Sequence, residues 1–237
     1  MKFINENMGM RDADSGDEAA DIPIQQLEQD LAKAQRELIE LPAGYQPTQK
    51  AEIQNRLGEL LVDLDRKEEA YDTAREAFDT FAAAEQWDGA VQACNVMFLA
   101  DQANSLAALG QGVWLAVTFP IDAELTVALL QHIIDETPAD SDGAAVAAVT
   151  ATYIVDMRTV EGKQRDNLML FTNHMLGTVA RRHSEVEKQE QFDYWLEKME
   201  LNDPAKFLPR LRNVVDVLVQ EDWWVDRDAI WASLPDQ

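Results

Sequence analysis

A chain of 237 residues, 46% of them hydrophobic, can bury a core, which excludes global disorder and leaves room for one large domain or two small ones. A net charge of −24, from 44 acidic and 20 basic residues, repels phosphate backbones and anionic lipid, so nonspecific nucleic-acid binding and membrane docking are not expected. With only eight prolines and ten glycines, the chain favours helices over strands.

Residues 1–20 carry Glu6, Asp12, Asp14, Asp17 and Glu18 with little apolar periodicity, and a flexible acidic tail is expected there. Leu27, Leu31, Ala34, Leu38 and Leu41 share one helical face, which predicts a helix from Pro23 to Leu41 with Asp21 as its cap. After the turn "PAGYQP", a second helix from Thr48 holds Ile53, Leu57, Leu60, Leu61 and Leu64 and breaks at "LDRKEE" without a glycine or proline. The third carries Ala70, Tyr71, Ala74, Ala77, Phe78 and Phe81. Trp87 opens the fourth, with Val91, Cys94, Met97 and Phe98, and a fifth runs from Asn104 to Thr118.

"FPIDAEL" stops and restarts the chain, with Asp122 as the new cap, and the next helix holds Leu125, Leu129, Leu130 and Ile133. "ETPADSDG" (136–143) reads as a linker. The small residues of 144–157 mark a helix squeezed between neighbours. Further helices follow at 166–180, at 185–200 behind a Ser184–Glu187 capping box, and at 204–220 behind Asp203 and Pro204. A short one follows Asp228. The strand-like run 214–219 sits among helically spaced leucines and reads as helix. The expected fold class is all-α, with about ten helices in antiparallel hairpins continued by a C-terminal bundle. The expected divisions are the tail, helical hairpins over 21–119, and a C-terminal helical region over 120–237 that packs on them.

Residues 54–82 resemble a tetratricopeptide repeat, a helix–turn–helix of 34 residues with small and bulky residues at set places. Leu57 and Gly58 match its Leu–Gly pair, Ala70 and Ala77 match the small positions of its second helix, and "LDRKEEA" resembles the intervening loop. A weaker copy lies 33 residues on, with Trp87 at the early aromatic position, Ala103 matching Ala70 and Gly110 matching Ala77. Leu61 and Ala74 depart from aromatic positions, Ala82 from a proline, and Ala90–Val91 from the Leu–Gly pair. The resemblance implies right-handed stacking of hairpins and a binding groove lined by the first helix of each pair. Asn55, Glu59, Asn95 and Gln102 are its candidate exposed residues. Two copies are fewer than the ~3 needed for self-sufficient stacking, so the C-terminal helices or a second subunit would cap the array.

Few residues of the chain point to chemistry. Cys94 stands alone, with no partner for a disulfide and no CxxC or Cys/His set for zinc. On an apolar helix face it reads as packing. No Glu-x-x-His pair, glycine-rich phosphate loop, GxSxG or HExxH occurs. His132, Asp135 and Glu136 have the i, i+3, i+4 spacing of a metal site, but helix-end charge explains them equally well. His174 lies in an apolar helix and reads as a hydrogen-bonded core residue, and His183 as helix-end positive charge. Trp223, Trp224 and Trp231 crowd around Arg227. Aromatics with arginine anchor interfaces, yet tryptophans also fold tails back onto a body, and two of the three are expected to do the latter. "KFLPRLR" (206–212) is a compact basic stripe that either pairs internally or grips an acidic partner.

No cofactor and no catalytic residue is expected. The best reading is a non-catalytic scaffold or accessory subunit in the cytoplasm, binding a protein partner or a second copy of itself. The N-terminus lacks the apolar run of a signal peptide, and no stretch reaches ~18 uninterrupted apolar residues. The high negative charge serves either solubility or an acidic docking face for a basic partner. The alternative is a ligand-binding or enzymatic bundle whose site uses scattered residues. The overall cast also resembles small helical proteins that accompany heterodisulfide-reductase-like sulfur-oxidation complexes. No motif carries that likeness, and it stands only as a possible setting.

Overall fold

The computed structural model describes residues 23–234, and the 1–20 tail and the Asp21 cap fall outside them. The fold is all-α. Eleven helices and no strand occur among the described residues. They are α1 (Ile24–Ile39), α2 (Pro47–Asp63), α3 (Lys67–Ala83), α4 (Trp87–Leu99), α5 (Ser105–Thr118), α6 (Ala123–Glu136), α7 (Asp142–Arg158), α8 (Lys163–Ser184), α9 (Gln189–Lys198), α10 (Pro204–Val219) and α11 (Arg227–Ser233).

The first five helices fold as consecutive hairpins. Each helix from α1 to α4 packs along its successor, and α2 also reaches α4. The break after α2 is made by Asp65 at φ 57°. Arg66 N then donates to Leu61 O at 2.8 Å and Asp65 N to Val62 O at 2.9 Å, which closes the helix end in the manner usually left to glycine. Glu85 repeats the device at the end of α3, at φ 52° with Gln86 N bonded to Phe81 O at 2.9 Å.

Small residues set the spacing between the hairpins. A β-carbon on Gly58 would lie 2.7 Å from Val96 Cγ1, so glycine is what lets α2 approach α4. Ala70, Ala74 and Ala77 are fully buried on the facing side of α3.

α5 is the centre of the molecule, buried on all sides. α4 and α6 flank it in sequence, and α10 returns from the far end to cross it. At that crossing a β-carbon on Gly110 would lie 2.4 Å from Val219 Cγ2. One buried cluster takes in Phe78, Leu109, Leu129, Val146 and Val215, and a smaller one lies under α1.

Several local expectations shift. The 137–141 stretch is a turn between two helices that pack on each other, with Ser141 capping α7. α9 starts at Gln189, because Ser184 belongs to α8 and Glu185 at φ 53° ends that helix. Gln191 Oε1, not the Ser184–Glu187 pair, accepts from Lys188 N at 3.0 Å. α11 begins at Arg227, capped by Asp226, instead of after Asp228. Asp122 and Asp203 cap α6 and α10, and 214–219 is helical, as read from sequence.

Candidate functional site

A concavity lies where α2, the start of α4 and the α5–α6 turn converge. It is an open groove of about 660 Å³. It is lined by Glu52, Ile53, Asn55, Arg56 and Glu59 from α2, and by Trp87, Asp88, Gly89 and Gln92 from α4. Phe119, Pro120 and Ile121 of the turn, Phe81 of α3, and Glu85 and Gln86 complete it.

Three interactions hold this geometry. The Gly89 α-carbon sits against the Phe81 ring, which an added β-carbon would meet at 2.6 Å, so α4 opens directly over α3. Asn55 Nδ2 donates to Gly89 O at 3.0 Å and ties α2 to that first turn. Arg158, at the end of α7, donates to Ala116 O at 2.8 Å, Ile121 O at 3.1 Å and Val117 O at 3.1 Å. It thereby fixes the α5–α6 turn, and burial lowers its pKa from the usual guanidinium value. Phe119, carried on that turn, stacks on Trp87 with ring centroids 4.8 Å apart. The stacked pair is also a wall of a second groove of about 550 Å³, formed with Trp224, Val225, Ala229 and Ile230.

The groove is electronegative. Glu52, Glu59, Glu85 and Asp88 line it against Arg56, whose guanidinium pairs with Glu37 of α1. Glu59 has its pKa raised by burial and then by the Asp63 charge, with Arg56 partly offsetting both. Asn55 is 2% exposed and its Oδ1 has no hydrogen-bond partner among the described residues.

The residues nominated from sequence separate in space. Asn55 and Glu59 line the groove, but Asn55 is buried at its floor instead of exposed on its wall. Asn95 faces α6, where its Oδ1 lies 3.2 Å from His132 Nε2. Gln102 turns back on its own loop, donating to Ala100 O and Asp101 O.

His132 is buried against the Phe98 ring, 4.5 Å between centroids, while Asp135 and Glu136 are exposed. The three do not converge, and no cluster of three or more His, Cys, Asp or Glu side chains suited to a metal occurs among the described residues. Burial lowers the His132 pKa to about 4. His174 is exposed, because Met175, Leu176 and Val179 set the inward face of α8. Cys94 is fully buried, and burial pushes its thiol pKa up.

The C-terminal tryptophans divide two to one. Trp223 packs edge-on against Trp114 with Arg227 stacked 3.7 Å over it, and Trp224 packs on Phe78 under Arg75 at 4.1 Å. Arg227 also pairs with Asp216 at 2.8 Å. Trp231 is 54% exposed. The basic stripe is engaged internally, Lys206 with Glu200, Arg210 with Asp142 and Arg212 with Asp216.

Sequence reading missed Trp87, Phe119 and Arg158 as site-forming residues. Trp87 was legible only as a packing aromatic, and nothing local connects Phe119 or Arg158 to α2. No helix among the described residues is long and apolar enough to cross a membrane. No family model, curated protein or solved structure matches the chain.

Proposed function

We propose that this protein is a non-catalytic interaction scaffold, an accessory subunit of a larger cytoplasmic assembly, and that the α2–α4 groove receives a segment of a protein partner. The observation that carries the reading is the groove itself: it is open and spans two successive hairpins, with stacked aromatics and polar side chains along it. A site for chemistry would gather a nucleophile, base or metal ligands in an enclosed pocket. The lining here offers carboxylates, amides and stacked aromatics, the surface of a docking site.

The tetratricopeptide-like reading of these hairpins supports the same conclusion. Contacts between successive hairpins recur at the repeat length, with Asn55 bonded to Gly89 and Lys67 to Asp101, each 34 residues apart. In such arrays the first helices of successive pairs line the binding face, as α2 and α4 do here.

The test is capture of partners from native lysate on the tagged full chain, in parallel with Gln92→Trp. Gln92 is half-exposed in the groove, and tryptophan there fills the space without changing charge. A stoichiometric partner held by the wild type and lost by Gln92→Trp is the expected result. A partner held equally by both, or a chain that elutes alone with a small molecule, overturns the reading.

A further inference from the structure

We infer that the outward face of α8 binds a second copy of this chain, and that the two copies pair antiparallel across it about a two-fold axis between Asn173 and His174. This surface is separate from the α2–α4 groove, whose lining includes no residue of α8. Its first mark is missing charge. Residues 167–180 contain no Asp, Glu, Lys or Arg. α5 and α7 also carry long uncharged runs, but α5 is buried on all sides and α7 packs on α6, α8 and α10. α8 packs on α7, α6 and α9 along one side and leaves the other to solvent. On a chain of net charge −24, a helix face turned to water is normally charged.

The second mark is a glycine. Inside the other helices, glycine serves a close crossing. A β-carbon on Gly58, Gly89, Gly110 or Gly112 would lie within 2.8 Å of a neighbouring side chain. Gly177 stands in the middle of α8, where glycine costs stability relative to alanine, yet a β-carbon there would meet nothing within 4 Å. The protomer holds no partner for this crossing among its described residues. At 100° per residue, Asp166, Leu170, Asn173, His174, Gly177 and Arg181 fall within an arc of about 100°. All but Gly177 are exposed, Leu170 by 73%.

The face is complementary to itself when reversed. Across a two-fold axis, residue i of one copy meets residue j of the other, and j meets i. With the axis between Asn173 and His174, Leu170 lies over Gly177 of the second copy, where the open space receives it. Asn173 meets His174, and each of these side chains can donate and accept. Asp166 meets Arg181. A parallel pair would instead set Asp166 against Asp166 and Arg181 against Arg181.

The ionic pair has its own support. Every other arginine among the described residues is held by an ion pair or a hydrogen bond. The Arg181 side chain has neither among those residues, and Asp166 has no cation beside it. The seam from Asp166 to Arg181 is about 24 Å long, narrow for a specific interface, so a reversible dimer is expected.

The experiment is sedimentation equilibrium of the full chain from about 5 to 500 μM, where dimer is expected to form reversibly. Leu170→Glu and Gly177→Leu are each expected to weaken it about tenfold or more. Neither site supports the protomer's core, and thermal melts check that both variants fold. Should Gly177→Leu melt early, Leu170→Glu and the charge reversals carry the test. Asp166→Arg alone or Arg181→Asp alone sets like charges against each other twice, and a loss of about tenfold is expected. The double variant Asp166→Arg with Arg181→Asp is expected to return to within about threefold of the wild type.

A chain that stays monomeric throughout that range overturns the inference. So does a dimer left intact by Leu170→Glu and Gly177→Leu, or a double reversal that binds no tighter than either single one.

Discussion

Two buried amides, one on α2 and one on α5, are handled in opposite ways. Gln111 of α5 is completely buried and both ends of its amide are used. Nε2 donates to Asp222 O at 2.7 Å, and Oε1 accepts from Trp224 N at 3.4 Å. It clasps the C-terminal segment to the core, helped by Trp223 on Trp114 and Trp224 on Phe78. Asn55 of α2 is almost as buried but uses only its nitrogen end, and its oxygen is enclosed without a donor among the described residues. A buried polar group with both ends satisfied specifies a structure. One left half-satisfied keeps a single tie, here α2 to the first turn of α4, and carries the cost of its unpaired oxygen. The same contrast holds for packing. α5 is enclosed by α4, α6 and α10, whereas α2 and α4 meet closely at Gly58 and then leave a groove beside it.

The comparison can be broken at its enclosed end first. Gly110→Leu places a side chain where a β-carbon alone comes within 2.4 Å of Val219, and α10 must move off α5. The expected cost is about 3 kcal/mol or more, read by urea denaturation. A loss under about 1 kcal/mol would show that α10 does not sit as tightly as described. Gly58→Leu, at the open end, should cost about 1–3 kcal/mol, because α2 has free surface on one side into which it can shift.

His132 sharpens the account of α4 and α6. Its folded pKa of about 4 lies below the unfolded value near 6.5, so the unfolded chain binds the proton first. Stability is therefore lost as pH falls from about 6.5 towards 4, by up to about 3 kcal/mol over that window. His132→Gln, which can keep a bond to Asn95, should remove this part of the acid limb while leaving neutral-pH stability within about 1 kcal/mol. Glu59, Asp63 and Asp135 act with the opposite sign, their pKa values being raised chiefly by burial, so protonation in acid favours the folded form. The difference between wild type and His132→Gln isolates the histidine. An unchanged acid limb in the variant would contradict its burial as a neutral ring.

The smallest expected effect is the removal of a misplaced charge. Glu59→Gln takes a desolvated carboxylate off α2 and should raise the melting temperature slightly at neutral pH while weakening binding in the groove. A residue that helps the fold by leaving and hurts binding by leaving belongs to a site. A lower melting temperature would make Glu59 a structural residue instead.

Much of the architecture was legible because helices announce themselves locally. Leu27, Leu31 and Ala34 share a face by spacing alone, and Asp122 and Asp203 announce caps by chemistry. The errors arose where a local pattern had two uses. Ser184–Glu187 has capping-box spacing, but α8 extends through Ser184 and α9 begins later. His174 sits among apolar residues in sequence, yet on a helix a one-residue step turns the side chain by 100°, and Met175 takes the inward position. The groove was half legible. Glu59 and Asn55 follow from the hairpin pattern, but the burial of Asn55 depends on where α4 begins, and the pairing of Trp87 with Phe119 depends on Arg158 holding a distant turn. None of those relations is written in the residues near Asn55.

The most direct test sets Asn55→Leu beside Gln111→Leu in parallel urea melts. Gln111→Leu strands the Asp222 carbonyl and the Trp224 amide, and a loss of about 2–3 kcal/mol is predicted, with tryptophan emission shifting to the red as the C-terminal segment loosens. Asn55→Leu removes one hydrogen bond together with one unsatisfied oxygen, and stability within about 1 kcal/mol of wild type is predicted. An Asn55→Leu variant that falls as far as Gln111→Leu would make Asn55 a second structural clasp and contradict the account.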